Sequence, residues 1–179
     1  MFPAETVLTA RLRLRRPVLG DAGRVFETYA SDPACTRYLL FTPHEDVSDS
    51  LDFLSLVATN WRLRAGHRPW CVERLADGAF LGMIGATVDG RQAELGYAIG
   101  RPFWGHGYMT EAVAAVRDHI LDDSRVTRVY ATCHVENVGS AKVLEKAGFE
   151  REGILRGHLV FPNLGDEPQD CVLYESVRA

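Results

Sequence analysis

Two glycines, Gly105 and Gly107, stand between a predicted strand and a predicted helix. Glycine lets backbone N–H groups approach a ligand closely, and the N-terminus of a helix adds unpaired donors with a partial positive charge. Together these features indicate an anion site suited to a diphosphate. Taken alone, the glycine pair is as typical of a tight turn that binds nothing.

The strand that enters this turn has an unusual face. Its two-residue period places Glu94 together with Gly96, Ala98 and Gly100. A row of small residues with a carboxylate at one end could admit a slender ligand along the strand. A helix packed tightly over the glycines, with Glu94 exposed at the end, explains the pattern equally well.

Two common nucleotide motifs do not fit the turn. The dinucleotide pattern needs a third glycine where Thr110 stands, and the strands before the turn form a meander instead of a βαβ unit. The P-loop needs a Gly-Lys-Ser/Thr sequence, which does not occur in the chain. NAD or ATP binding by these routes is therefore not predicted.

A second polar group follows at residues 137–149. Asn137 has the residue type of a helix N-cap, and Ser140 falls in the first turn. Lys142 and Lys146 lie one turn apart, which is usually the mark of a solvated face. In the functional interpretation, Asn137 and Ser140 would face a ligand between this helix and the preceding one, and Lys142 would reach toward phosphate.

The elements that must position these residues follow from hydrophobic periodicity. Asp77-Gly78 and Asp89-Gly90 separate alternating segments and predict two hairpins. Thr42 and Glu45 have the spacing of a capping box and predict the start of a helix that continues to Trp61. Further helices are predicted after Asp21, at 109–120 and at 137–147. Strands are predicted at 8–15, 70–75, 80–88, 91–99, 125–134, 153–161 and 171–177.

Composition limits the possible partners. The chain has 179 residues, 20 basic and 24 acidic, so we expect one domain spanning 1–179 with no general attraction to nucleic acid. The four cysteines lack metal-ligand spacing, and no metal site is predicted. The N-terminus has no signal-peptide pattern, and the longest uncharged apolar stretch, 79–88, is far shorter than the ~20 residues of a membrane span. We therefore expect a cytoplasmic protein without a membrane partner.

Both polar segments resemble motifs of one enzyme family. Residues 102–112 resemble the acetyl-CoA diphosphate motif of the GNAT N-acetyltransferase superfamily, and residues 137–149 resemble a second motif of its RimJ/RimL-type branch. The chain is similar to that branch as well in its closing segment 170–174 and in its opening residues Thr9, Arg11, Leu12, Leu14 and Arg15. The resemblance spans nearly the whole chain.

The resemblance implies an α+β fold of three layers, α/β/α. A mixed, mostly antiparallel sheet of seven strands would carry helices on both faces. The fourth and fifth strands, here 91–99 and 125–134, would splay apart, and the pantetheine arm of acetyl-CoA would enter the gap.

The resemblance also implies the residues that bind the cofactor. Asn137 would hydrogen-bond the pantetheine, and Lys142 would lie near the adenosine phosphates. This chain departs from the family at Pro102, where many members have Arg or Gln, and its nearest arginine is the adjacent Arg101. The backbone of Tyr97, Ala98 and Ile99 would bind the pantetheine, and the diphosphate would lie on the amides of Trp104, Gly105, His106, Gly107, Tyr108, Met109 and Thr110.

The implied reaction is direct transfer of the acetyl group to an amine in a ternary complex. The amine must lose a proton, and Glu94 is the first candidate for the base, with His134 as a rival that is more typical of a strand-end histidine. Backbone N–H groups near Ile99 would stabilise the oxyanion. Ser140 would return a proton to the departing thiolate, and His106 would bind rather than catalyse.

The acceptor is not predicted beyond a primary amine. By family analogy, residues 32–46 and 161–170 would border it, and the candidates are a protein N-terminus, a free amino acid, a polyamine and an aminoglycoside. Family members include homodimers, so the oligomeric state stays open. The alternative from another class is an acyl-CoA-binding regulatory domain without turnover.

Overall fold

A computed structural model describes residues 4–178. Segment 8–15, which was predicted to be one strand, is instead part of a hairpin. Its two strands are β1 (Thr6–Leu8) and β2 (Leu12–Arg15), with Thr6 opposite Arg15. The chain reverses because the Thr9 hydroxyl accepts a hydrogen bond from the Leu12 N–H (3.0 Å). Within residues 4–178 the sheet therefore has eight strands instead of the seven expected.

The first helix before the meander begins after Asp21, as predicted, and the long helix begins later than predicted. A short helix, α1 (Ala22–Val25), continues into a π-helical turn (Phe26–Ala30), and α2 (Pro33–Thr36) follows. The long helix α3 (Val47–Leu63) is capped by Asp46 with Asp49, so the predicted box at Thr42 was wrong. A hydrogen bond from the His44 N–H to the Ala30 carbonyl (2.9 Å) ties this segment to the π-helical turn.

The predicted meander is confirmed as β3 (Arg68–Arg74), β4 (Phe80–Asp89) and β5 (Gln92–Ile99). Gly78 and Gly90 adopt φ of 70° and 56° in the two Asp-Gly turns, a region where glycine is favoured. The remaining elements are α4 (Tyr108–Leu121), β6 (Arg128–His134), α5 (Val138–Lys146), β7 (Glu150–Val160) and β8 (Pro168–Val177).

The strand order is β1-β2-β3-β4-β5-β6-β8-β7, and β5–β6 is the one parallel pair in the part of the chain described. Helices α4 and α5 pack on one face through residues such as Val113 and Leu144. Helices α1 and α3 pack on the other face through Val25 and Leu54. The mixed α/β sheet with helices on both faces is confirmed.

The expected splay is also present. Strands β5 and β6 pair at three positions only, the last joining Glu94 to Tyr130. Residues 95–99 and 131–134 have no partner across this edge. The two splayed strands, expected as the fourth and fifth, are the fifth and sixth of the observed sheet, and they leave a gap that opens toward the glycine turn.

Candidate active site

The edge of β5 that faces the gap carries free backbone groups. The Gly100 N–H bonds to the Leu81 carbonyl on the β4 side (2.9 Å), and alternation along the strand then turns the N–H and C=O of Tyr97 and Ile99 toward the gap. The groups of Ala98 point to β4 instead. The Ile99 carbonyl accepts a hydrogen bond from Trp104 Nε1 (2.8 Å), so its N–H is the group left for a ligand.

The segment after β5 forms a row of unpaired amides. Gly105 and Gly107 both have left-handed backbones, with φ of 78° and 75°, and Gly107 is the N-cap of α4. The amides of residues 105–110 have no backbone partner among residues 4–178, whereas the Trp104 amide bonds to the Arg101 carbonyl (3.2 Å). We call residues 105–110 the glycine loop. Its amides and the helix N-terminus form a surface suited to an anion.

A side-chain cluster from the opening hairpin holds this loop. Arg11 donates from Nε to Glu111 (2.6 Å) and from Nη1 to the His106 carbonyl (3.1 Å). The Thr9 hydroxyl also donates to Glu111 (2.6 Å). Burial raises the pKa of Glu111, but these donors outweigh it and the net pKa is lowered. The carboxylate thus fixes the first turn of α4 to the hairpin.

Arg101 and Pro102 lie in a short 3-10 turn before the loop. Arg101 forms an ion pair with Asp32 (2.8 Å), which directs its guanidinium toward α2. Arg11 instead is an arginine that donates to a backbone carbonyl of the loop. Its Nη2 would lie 3.6 Å from a Cβ built on Gly107.

The start of α5 borders the other side of the gap. Asn137 Oδ1 accepts a hydrogen bond from the Ser140 N–H (3.1 Å), which leaves its Nδ2 donor for a ligand. Lys142 is exposed on the same helix. The Ser140 hydroxyl lies 2.8 Å from the Tyr97 hydroxyl, which reaches it from β5. This side-chain contact across the gap was not predicted, because Tyr97 was assigned through its backbone alone.

Two groups around this contact remain protonated at neutral pH. Burial raises the pKa of the Tyr97 phenol far above its usual value, despite the hydrogen bond to Ser140. Burial also raises the pKa of the Cys133 thiol, within hydrogen-bond reach of Ser140, to about 11. The Ser140 hydroxyl therefore stands among proton donors at the position where β5 and α5 approach each other.

The face of β5 that carries Glu94, Gly96 and Gly100 agrees in part with each interpretation of its small residues. One end of the row is covered by packing, and the other end is open. Thr28 closes the row at Gly100, where an added Cβ would lie 2.6 Å from its methyl carbon. Gly96 is exposed, and Glu94 stands exposed at the end of the row. His67, which the sequence did not single out, lies flat over Gly85 and extends to 3.8 Å from a Cβ built on Gly96. The open part of the row thus lies between His67 and Glu94.

Hydrogen bonds connect the two segments that were expected to border the acceptor, residues 32–46 and 161–170, near the end of β6. Asn163 donates to the carbonyls of Thr36 (2.8 Å) and Phe41 (2.9 Å). The ring of His134, the last residue of β6, stacks on Tyr38 and meets Phe161 edge-on. A cavity of about 390 Å³ is lined by residues 134–136, Leu164 and residues 168–170.

Other kinds of site find little support in residues 4–178. No group of three or more metal-ligating side chains occurs there. None of the helices within this range combines the length and apolar character needed to cross a bilayer.

Comparison with known proteins agrees with this geometry. The family model described as acetyltransferase (GNAT) domain matches residues 11–150. The chain is 33% identical to the uncharacterised N-acetyltransferase p20 of Bacillus licheniformis over 86% of this chain and 87% of p20. It is also 33% identical to the [ribosomal protein uS5]-alanine N-acetyltransferase of Escherichia coli, over 37% of this chain and 34% of that enzyme.

A solved structure shows the same fold. The RimJ protein of Mycobacterium smegmatis, in complex with CoA-disulfide, superposes with a TM-score of 0.85 over 98% of this chain and 88% of RimJ. The two sequences are 23% identical, so the likeness concerns the arrangement of the elements.

Proposed function

The chain belongs to the GNAT family of N-acetyltransferases, and on that premise we propose that it transfers the acetyl group of acetyl-CoA to a primary amine. The amine is the N-terminal α-amino group of a protein or the amine of a small molecule, and it attacks directly in a ternary complex. The observation that carries this proposal is the row of unpaired amides at residues 105–110 beside the gap between β5 and β6.

The residues present fit acetyl-CoA, which supplies an acyl group activated as a thioester. The diphosphate lies on the glycine loop, where six successive amides at the N-terminus of α4 supply the hydrogen-bond donors. Binding by these amides does not require a lysine or arginine motif. The pantetheine arm follows the backbone of Tyr97 and Ile99 and meets Asn137 Nδ2. Lys142, exposed on α5, lies toward the adenosine phosphates.

Glu94 is the proposed base on the opposite face of β5. An α-amino group, with a pKa of about 7.7–8.0, loses its proton more readily than a lysine at about 10.4, yet a nearby proton acceptor still helps. The exposed floor at Gly96 gives an amine access beside Glu94. The Ile99 N–H, free in the gap, is the donor for the negative charge that develops on the carbonyl oxygen.

Ser140 is the proposed proton donor to the departing thiolate. The Tyr97 hydroxyl can donate to Ser140 Oγ at 2.8 Å, which leaves the serine proton free to point into the gap. In the other orientation Tyr97 donates to the Ser140 carbonyl (3.3 Å). Tyr97 thus acts through Ser140 as a positioning residue.

Release of free thiol from acetyl-CoA, measured with a panel of amines, tests the proposal. We expect release that depends on the amine, and a Gly107→Val variant that loses CoA binding as the control. Tight CoA binding with no release for any amine would instead favour an acyl-CoA-binding regulatory domain. Thermal stabilisation by NAD and not by CoA would contradict both.

A further inference from the structure

The imidazole of His134 is held rigidly at the end of β6. The residue is only 5% exposed. Its ring stacks on Tyr38, with centroids 5.0 Å apart, and Phe161 meets it edge-on at 5.2 Å. These contacts fix the plane of the ring and therefore the directions in which its two nitrogens point.

The hydrogen bonds of His134 identify its tautomer. Nδ1 accepts a hydrogen bond from the Glu136 backbone N–H (3.1 Å), so this nitrogen carries no proton. The neutral ring then carries its proton on Nε2, which is a donor. The basic lone pair is used within the protein, which argues against His134 as the rival base.

The Nε2 donor has no hydrogen-bond partner within residues 4–178, and this nitrogen belongs to the small part of the side chain that stays accessible. An accessible donor on a side chain that is otherwise buried and fixed is available to a ligand or to water. His134 lines the cavity of about 390 Å³, a size within the range of roughly 300–1,000 Å³ for small-molecule sites. The donor therefore belongs to this cavity.

The cavity lies where an acceptor amine would enter. His134 ends β6 at the wide end of the gap, and Asn137 and Ser140 follow at the N-cap and in the first turn of α5. Leu164 and Pro168 supply apolar wall, while Glu136 supplies an exposed carboxylate. The carboxylate of Asp170 is already bonded to Arg156 and to the Gly157 N–H.

We infer that His134 is a specificity-determining residue whose Nε2–H bonds the carbonyl oxygen next to the acceptor amine, so that the acceptor is an α-amino amide such as a peptide N-terminus. The inference rests on the proposed function and narrows it. A carbonyl oxygen only accepts hydrogen bonds, which matches a group that only donates. An amine without an acceptor oxygen, such as a polyamine, would leave the donor unpaired.

Three small amines that share a CH3–CH(NH2)–C core test this assignment: alaninamide, alaninol and 3-methylbutan-2-amine. We would measure kcat/KM for each with the wild type, with His134→Phe and with His119→Phe. His134→Phe keeps an aromatic ring between Tyr38 and Phe161 but has no donor. His119, on α4, bonds instead to the Ala4 N–H and serves as the matched control.

We expect the ratio of kcat/KM for alaninamide over 3-methylbutan-2-amine to fall about tenfold in His134→Phe, the size of one hydrogen bond. The ratio should stay unchanged in His119→Phe. Comparing ratios between variants cancels the different pKa values of the two amines. An unchanged ratio in His134→Phe would overturn the inference, and a wild-type preference for alaninol over alaninamide would overturn the assignment to a carbonyl.

The outcomes separate this inference from the proposed function. If all three amines are acetylated with equal kcat/KM, the proposed acetyl transfer is supported and the proposed role of His134 is refuted. If no amine releases thiol, the proposed function fails, and calorimetry of alaninamide with the CoA-bound protein still tests the donor through a tenfold weaker affinity in His134→Phe. Equal affinity in both proteins would refute it. If His134→Phe fails to bind CoA, the wild type alone tests the inference. A kcat/KM that is higher for 3-methylbutan-2-amine than for alaninamide, after correction for amine ionisation, would then refute it.

Discussion

Tyr97→Phe removes one hydroxyl from the gap and keeps the ring that packs there. The lost group lies 2.8 Å from Ser140 Oγ, and burial raises the pKa of the phenol, so it is a protonated donor in the wild type. Without it, the Ser140 proton is no longer directed toward the departing thiolate. We expect kcat to fall while KM for acetyl-CoA changes little, because the Tyr97 backbone groups that face the gap are unaltered.

The size of the effect follows from the interaction removed. One neutral hydrogen bond contributes about 0.5–1.5 kcal/mol, which corresponds to a fall in kcat of about two- to twelvefold. Ser140→Ala removes the proton donor itself and should cost roughly a hundredfold or more. If Tyr97 acts through Ser140, the double variant should be no slower than Ser140→Ala alone.

Initial rates of thiol release at saturating amine measure these changes. Tyr29→Phe is the matched control, because Tyr29 is a buried tyrosine that packs on the opposite face of the sheet, among residues such as Val25 and Leu54. Its kcat should equal that of the wild type. The reasoning would be refuted by an unchanged kcat in Tyr97→Phe, or by a double variant whose loss equals the product of the two single losses.

Three further predictions concern the base and the loop. Glu94→Gln should lower kcat by roughly a hundredfold with little change in the Kd of CoA, and unchanged turnover would remove Glu94 from the base role. Gly107→Val forces a side chain onto a φ of 75°, so calorimetry should show at least tenfold weaker CoA binding. Arg11→Leu frees the His106 carbonyl and should weaken CoA binding about fivefold. Arg101→Leu should leave CoA binding unchanged, because the partner of Arg101 is Asp32. Equal effects of the two substitutions would contradict the role of Arg11 in holding the loop.

Features set by local chemistry were predictable from the sequence. The two Asp-Gly turns placed β3, β4 and β5 correctly, since a left-handed backbone at Gly78 and Gly90 is decided within the turn itself. The glycine loop was predictable for the same reason. Its positive φ values occur at the two glycines that the sequence marks.

Features set by distant partners were not predictable. Alternation from 8 to 15 predicted one strand, but Thr9 and Arg11 instead turn back to bind Glu111, about a hundred residues later. Trp104 was assigned to the diphosphate through its amide, which is bonded to the Arg101 carbonyl, and its indole occupies the Ile99 carbonyl. No local pattern signals such contacts, because they depend on which segments the sheet brings together.

The same distinction separates the cofactor side of the site from the acceptor side. The groups assigned to acetyl-CoA are backbone groups, the Asn137 cap and the Lys142 side chain, and they lie in two short segments, 97–110 and 137–142. The cavity proposed for the acceptor is lined by separate segments, with residues such as His134, Leu164 and Pro168. Tyr38 and Phe161 hold the ring of His134. Because backbone amides bind any diphosphate alike, substitutions around the cavity can change the acceptor without disturbing the loop. The choice of amine is therefore expected to depend on residues such as His134, whose role appears only when its hydrogen bonds are counted.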